Sequence, residues 1–152
     1  MGTNPVLSVG DTAPDFTDDT APFTLSGQRG KRVVLYFYPK DDTPGCTTEA
    51  CDFRDRQADF AQHDAIIVGC SPDGRASHDA FTDKHGLPFI LVADPDKAIA
   101  QAYGVWREKK MYGRTTMGIV RSTFVIDPEG RIEAIHDNVR AKGHVARVLS
   151  SL

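Results

Sequence analysis

Two cysteines lie close together in the part of the chain that is richest in reactive side chains. Cys46 and Cys51 are five residues apart and follow residues 36–45, which read YFYPKDDTPG. A thiol can ionise to a thiolate, which is a nucleophile, a metal ligand and the attacking group in disulfide exchange. The pair is therefore the candidate centre for the chemistry of this chain.

The elements around Cys46 favour ionisation of its thiol. Residues 32–38 are β-branched and aromatic, which predicts a strand buried on both faces. Apolar positions at helical spacing, including Ala50, Phe53 and Phe60, predict a helix over 46–62. Cys46 then lies where the first helical turn offers free N–H groups and a positive dipole end, beyond the carboxyl end of a strand. Ionisation alone raises the thiolate fraction only about 30-fold, so the site must also stabilise charge during the reaction.

The spacing of the two cysteines restricts what they can do together. Five residues of helix advance about 7.5 Å and turn about 140°, which places the two Cα atoms roughly 8–9 Å apart. A disulfide needs less than about 7 Å. Either Cys46 and Cys51 never pair, or the first turns of the helix unwind when they do. Four intervening residues fit neither a usual zinc site nor a C-x-x-C redox motif, and no second Cys/His pair lies nearby.

The sequence around the cysteines resembles the peroxiredoxins, specifically the bacterioferritin-comigratory or Q-type subfamily. The family pattern Pro-x-x-x-Thr/Ser-x-x-Cys is matched by Pro39, Thr43 and Cys46. Cys51 matches the resolving cysteine of the Q type, and Arg121 matches the distant arginine that precedes a Thr-Phe strand. VGDTAPDFT near the start, the SPD turn and the IDPEG turn extend the likeness over most of the chain.

This resemblance implies an α/β, thioredoxin-like fold with a central mixed β-sheet flanked by helices, and reduction of hydrogen peroxide or organic hydroperoxides. The Cys46 thiolate would attack the O–O bond and become a sulfenic acid, and Cys51 would convert that acid into a disulfide. Thioredoxin or a similar dithiol would reduce the disulfide. Thr43 would hold the peroxide and the thiolate, Arg121 would stabilise the charges, and Pro39 would shield the pocket. No metal or organic cofactor is implied.

Several alternatives stay open at the level of sequence. Cys51 could be a bystander while an external thiol resolves the oxidised Cys46, or the chain could be a redox sensor or thiol chaperone without turnover. Cys70 is interpreted as a small buried hydrophobe at a strand end, with a second resolving or glutathione-capped role as the alternative. Glu49 could orient Arg121 or favour the dipole of the helix.

The rest of the chain alternates strands with helices, which predicts helices on both faces of the mixed sheet. Asp127-Pro128-Glu129-Gly130 predicts a type I turn that joins the last two strands antiparallel. A small hairpin at 23–33 is a further expectation. The remaining predicted strands are 65–70, 89–93, 122–127 and 131–136, and the remaining predicted helices are 75–85, 97–103 and 143–151.

Two other groups of residues suggest sites but have simpler interpretations. His78 and His85 share one helix face two turns apart, too far for one metal ion, and are expected to be solvated. Residues 106–114 mix basic and aromatic side chains, as some nucleic-acid-binding segments do. They have no repeating pattern, so a solvated loop or hairpin beside the active site is expected.

Composition limits the class of protein. With 152 residues and 40% apolar content, the chain is expected to form a single domain over 1–152. A net charge of −3 argues against binding nucleic acid, and three cysteines are too few for a disulfide-stapled secreted scaffold. The first residues do not read as a leader and no apolar run could cross a membrane, so a cytoplasmic location is expected. Because one chain holds both cysteines, a monomer is expected.

Overall fold

The structure is a computed structural model that describes residues 7–152, and for Met111 only the backbone. The expectation that the chain has no leader falls partly on residues 1–6, outside the described residues. In chain order the elements are β1 (Thr17–Asp18), β2 (Phe23–Thr24), a 3₁₀ turn (Leu25–Gln28), β3 (Arg32–Phe37), α1 (Pro44–Asp55), α2 (Gln57–Ala61), β4 (Ala65–Ser71), α3 (Arg75–His85), β5 (Ile90–Ala93), α4 (Ala98–Ala102), β6 (Trp106–Met111), β7 (Arg114–Ile119), β8 (Ser122–Ile126), β9 (Ile132–His136) and α5 (His144–Ser150).

A mixed five-stranded sheet in the order β5-β4-β3-β8-β9 organises the molecule. Strands β3, β4 and β5 run parallel, whereas β8 pairs antiparallel with both β3 and β9. After Arg32, the central strand β3 is entirely apolar and buried (VVLYF) because both of its faces are covered. Side chains at positions 33, 35 and 37 enter one core, and those at 34, 36 and 38 enter the other.

The two cores lie under different elements. Residues of α1, α2, α3 and α5 pack on the face of β3 that carries Val34 and Tyr36. Residues of α4 and of the chain before β3, including Phe23 and Leu25, pack on the opposite face. The predicted mixed sheet with helices on both faces is confirmed, and the face that holds α1 also holds the cysteine pair.

The structure confirms most predicted elements and corrects two. The helix predicted over 46–62 is wrong as one element: α1 ends at Asp55 and α2 begins at Gln57. The N–H of Arg56 donates to the carbonyls of both Asp52 and Phe53, each at 3.2 Å, so the last turn tightens and the axis breaks. The hairpin predicted at 23–33 is also wrong. Strand β2 pairs antiparallel with β1, which precedes it in the chain, and the 3₁₀ turn follows β2.

The segment that contains the basic and aromatic residues forms the antiparallel hairpin β6–β7. Arg107 anchors its base: its Nη2 donates to the Asp137 carboxylate at 2.7 Å, and its Nε donates to the Gly104 carbonyl at 2.6 Å. Tyr112 at the tip is 99% exposed. The predicted solvated hairpin is confirmed. Within residues 7–152, no helix has the length and apolar character needed to cross a bilayer.

Candidate active site

Cys46 is the third residue of α1 and lies just beyond the carboxyl end of β3. Pro44 occupies the first helical position, where its missing N–H costs nothing, and Thr43 before it is extended. The helix begins here because the Thr47 N–H donates to the Thr43 carbonyl at 2.8 Å. Cys46 is only 2% exposed and packs in the core, so its sulfur is shielded from solvent.

The pairing of sheet strands places Arg121 beside the Cys46 thiol, although the two residues are 75 positions apart in the sequence. Phe37 at the end of β3 pairs with Ser122 at the start of β8, so the residue before β8 lies beyond the end of β3. The Arg121 guanidinium donates from Nη2 to the Cys46 sulfur at 3.4 Å and from Nη1 to Glu49 Oε1 at 2.6 Å. A permanent cation therefore contacts the sulfur, as the negative charge of a thiolate requires.

Gly45 allows the guanidinium to come this close. A Cβ at this position would lie 3.2 Å from Arg121 Nη2, and 3.8 Å from the Cβ of Ala141. A larger residue would push the guanidinium away from the sulfur.

Glu49 extends the cluster formed by Cys46 and Arg121 into the interior of the protein. Its side chain is fully buried, and burial raises the pKa of the Glu49 carboxyl to about 7 although Arg121 opposes the shift. Its second oxygen, Oε2, has no hydrogen-bond partner among the described residues and lies 3.8 Å from His144 Nε2. Of the two sequence interpretations of Glu49, contact with Arg121 is therefore the one that the structure confirms.

His144, at the start of α5, is the part of this cluster that sequence reasoning missed. It is fully buried, and its Nε2 lies 2.7 Å from the hydroxyl oxygen of Thr123 on β8. Burial, together with the positive charges of nearby groups such as Arg147, lowers the pKa of His144 to about 4. In the sequence, only the position of His144 directly after Gly143, at the start of a predicted helix, could have drawn attention to it.

The other predicted site residues belong to the loop before Cys46 or to the helix that carries it. The Thr43 hydroxyl donates to the Lys40 carbonyl at 2.9 Å, which leaves its oxygen lone pairs free to accept. Pro39 is half-buried directly after Tyr38, where the chain leaves the sheet. Cys51 is half-buried, carries a free thiol and belongs to the same unbroken helix as Cys46.

Cys70 occupies the end of β4 in the core on the other side of the sheet. It is 1% exposed, and burial raises the pKa of its thiol well above the ordinary value. The interpretation of Cys70 as a small buried hydrophobe is confirmed.

The expectation that both histidines are solvated is wrong for His78, whereas His85 is partly exposed. His78 is fully buried on α3, with Nδ1 2.7 Å from Asp41 Oδ2 and Nε2 2.9 Å from the Val92 carbonyl oxygen. The His85 side chain is 19% exposed and lies 3.5 Å from Asp42 Oδ1. Both rings face the loop that precedes Cys46, which the helical spacing alone did not indicate.

One group of side chains could offer ligands to a metal ion. Asp41, Asp73 and His78 place one ligand atom each within 4.8 Å of one another. These atoms are already used within the protein: Asp41 accepts from Tyr38, Ser77 and His78, and Asp73 accepts from Ser71 and a backbone N–H. The group is a hydrogen-bonded network rather than an open coordination site.

The geometry can now be compared with known proteins. Residues 9–135 match the AhpC/TSA family. The chain is 50% identical over 149 residues to the peroxiredoxin Bcp of Bacillus subtilis, which covers 96% of this chain and 95% of that protein. It is 46% identical over 129 residues to the peroxiredoxin Bcp of Xanthomonas campestris, covering 85% and 81%. The chain belongs to the peroxiredoxins.

Solved structures place this peroxiredoxin in the Bcp/PrxQ group. The bacterioferritin comigratory protein of Xanthomonas campestris, studied for alkyl peroxide reduction, superposes with a TM-score of 0.85 at 39% identity, covering 96% of this chain and 95% of that one. A cysteine-to-serine PrxQ variant of Xylella fastidiosa superposes with a TM-score of 0.87 at 38% identity, covering 96% and 95%. The fold is thioredoxin-like, and the protein is a peroxidase that uses a thiol reductant.

Proposed function

We propose that Cys46 is the thiol that reduces the peroxide. The observation that supports this assignment best is the contact between the Cys46 sulfur and Arg121 at 3.4 Å, made by a thiol buried at the start of a helix. A thiolate there is stabilised by the guanidinium and by the free N–H groups of the first turn.

The chemistry of the first step needs no further group. The Cys46 thiolate attacks the terminal peroxide oxygen: the S–O bond forms, the O–O bond breaks, and the alkoxide or hydroxide that leaves takes up a proton. Arg121 stabilises the oxygen that becomes negative, because its charge is fixed in place before the reaction begins. Thr43 uses its hydrogen on the Lys40 carbonyl, so its oxygen is able to accept the hydrogen of the peroxide.

We further propose that Cys51 resolves the oxidised Cys46. Attack by the Cys51 sulfur on the sulfenic acid forms the S–S bond and releases water, and the first turns of α1 must unwind for the two sulfurs to meet. Thioredoxin or a similar dithiol then reduces the disulfide and becomes oxidised itself. This cycle needs one chain, works as a monomer, requires neither nucleic acid nor membrane, and suits a reducing compartment such as the cytoplasm.

The proposal is tested by thiol counting and two matched variants. One equivalent of peroxide is expected to reduce the number of free thiols by two, with a cleaved peptide that links Cys46 to Cys51. Cys51→Ser is expected to keep the first oxidation and lose turnover with thioredoxin, whereas Cys46→Ser loses both. Unchanged peroxide reduction by Cys46→Ser would refute the assignment, and full thioredoxin turnover by Cys51→Ser would make an external thiol the resolving group. Oxidation without steady turnover would favour a redox sensor.

A further inference from the structure

A second buried polar network lies on the other side of the loop that leads to Cys46. Asp41 is 7% exposed and accepts three hydrogen bonds. Its Oδ1 accepts from the Tyr38 hydroxyl at 2.6 Å, and its Oδ2 lies 2.8 Å from the Ser77 hydroxyl and 2.7 Å from His78 Nδ1. The imidazole of His78 is fully buried. None of these side chains has a place in the chemistry described above.

The hydrogen bonds of His78 join it to Asp41 and to the Val92 carbonyl. The Val92 carbonyl, 2.9 Å from His78 Nε2, can only accept, so Nε2 carries a hydrogen. Burial opposes ionisation of Asp41, but hydrogen bonds from His78 and Tyr38 lower the pKa of its carboxyl below the ordinary value. Asp41 and His78 Nδ1 share one hydrogen bond at 2.7 Å, and the two side chains form a buried hydrogen-bonded pair.

This pair joins helix α3 to the loop between β3 and α1. The loop is also held at neighbouring atoms: the Asp41 N–H donates to Asp73 Oδ2 at 2.8 Å, and Lys84 donates to the Asp42 carboxylate at 2.8 Å. Thr43 follows immediately, and its carbonyl closes the first turn of the helix that carries Cys46. The position of the Cys46 sulfur therefore depends on a loop that is held in place by hydrogen bonds from side chains of α3.

We propose that His78, paired with Asp41, is a positioning residue for the peroxide step: the pair holds the loop so that Thr43 and Cys46 meet the peroxide in the correct geometry. The inference rests on the proposed role of Cys46. Displacement by about 1 Å can slow a positioned reaction by roughly a hundredfold. Disulfide formation requires the start of α1 to open instead, so a looser loop does not hinder it.

The two steps can be measured separately. In a Cys51→Ser background, rapid quenching with a thiol-blocking reagent gives the rate at which Cys46 is oxidised by hydrogen peroxide. In the background with Cys51, the rate of disulfide formation at saturating peroxide gives the second step. His78→Leu is expected to slow the first rate by tenfold or more and to leave the second unchanged or faster. His78→Gln keeps one hydrogen-bond donor, and the same two rates are measured on it if the leucine variant folds poorly.

Two further variants separate positioning from general destabilisation. Asp41→Asn is expected to keep most of the oxidation rate of the parent, because an amide can accept from Tyr38 and donate to His78 Nδ1 in the same space. Phe81→Leu is the matched control: Phe81 lies on the same helix, is 2% exposed and takes no part in the hydrogen bonds of Asp41. If Phe81→Leu slows oxidation as much as His78→Leu, or if His78→Leu and His78→Gln both oxidise at the parent rate, the inference is wrong. If Cys46 is not the residue oxidised in the parent protein, the proposed function fails instead.

Discussion

Arg121 has two acceptors, the Cys46 sulfur and the Glu49 carboxyl, and the protonation of Glu49 decides how they share its charge. With its pKa raised to about 7 by burial, Glu49 is neutral in mildly acidic solution. Its contact with Arg121 is then a hydrogen bond, and the guanidinium charge faces the sulfur alone. Above pH 7 the carboxylate competes for the same cation. The buried Glu49 is therefore a titrating group inside the site.

The opposite pKa shifts of Glu49 and His144 give a testable dependence of stability on pH. The unfolded chain loses the Glu49 proton near 4.5 but the folded protein keeps it to about 7, so this group makes stability fall as the pH rises through that range. His144 has a pKa lowered from 6.5 to about 4, so the unfolded chain alone binds its proton there, and stability rises with pH. Between these limits the two effects oppose each other.

Glu49→Gln is expected to remove the contribution of Glu49 to the pH dependence of stability and to leave that of His144. Relative to the unmodified protein, the free energy of unfolding of Glu49→Gln should increase between about pH 4.5 and 7 by about 3 kcal/mol, measured by urea unfolding at intervals of pH. His144→Gln should change in the opposite direction, losing stability relative to the parent as the pH rises from 4 to 6.5. Parallel curves for the parent and Glu49→Gln would show that Glu49 titrates normally.

The sequence drew attention to the proposed reacting residues far more clearly than to the residues that surround them. Cys46, Thr43 and Pro39 form a local motif, and their proximity follows from chain connectivity. The contact with Arg121 depends on pairing between β3 and β8, which only the family resemblance indicated. His78 and His144 were not recognised, because spacing on a helix does not reveal whether a histidine faces solvent or a buried carboxylate.

At the scale of elements, the proposed cycle places two conflicting requirements on α1. Its first turn must be formed for Arg121 to contact Cys46, and the same turn must open before Cys46 can reach Cys51. The end of the helix is fixed more firmly, since Ala50 and Phe53 are fully buried in the core. We therefore expect the opening to be confined to the start of α1.

Hydrogen exchange can follow this opening. In the reduced protein, backbone amides of residues 47–51 should be protected by helical hydrogen bonds, and in the peroxide-oxidised protein they should exchange rapidly. Amides of β3 and β4 should be unaffected, because the sheet does not move. The Cys51→Ser variant treated with peroxide is the control, since it is oxidised at Cys46 without forming the disulfide. Equal protection at 47–51 in the reduced and disulfide forms would show that α1 stays folded.

The elements themselves were predicted where their pattern is long. The uniformly apolar strand β3 and the helix over 75–85 match the expected bounds closely, since seven or more residues define a clear pattern. The two-residue strands β1 and β2 are too short to show alternation. The break at Arg56 has neither proline nor glycine to signal it.

For the whole molecule, the contacts of the site show that one chain holds every residue of the proposed cycle. Cys46 and Cys51 share one helix, and Arg121, Glu49 and His144 reach the first cysteine through contacts within the same chain. The resolving thiol is thus tethered at an effective concentration in the millimolar range, far above that of a second chain in dilute solution. Disulfide formation should behave as a reaction within one molecule.

Dilution tests this directly. After a single pulse of excess peroxide, the rate constant for disulfide formation should stay the same over a hundredfold dilution of the protein, because the two sulfurs approach by opening of α1 alone. Mixing Cys46→Ser with Cys51→Ser chains should produce no disulfide-linked dimer on a non-reducing gel. A rate constant that falls in proportion to protein concentration, together with a covalent dimer in the mixture, would mean that the cysteines pair between chains and that the working unit is a dimer.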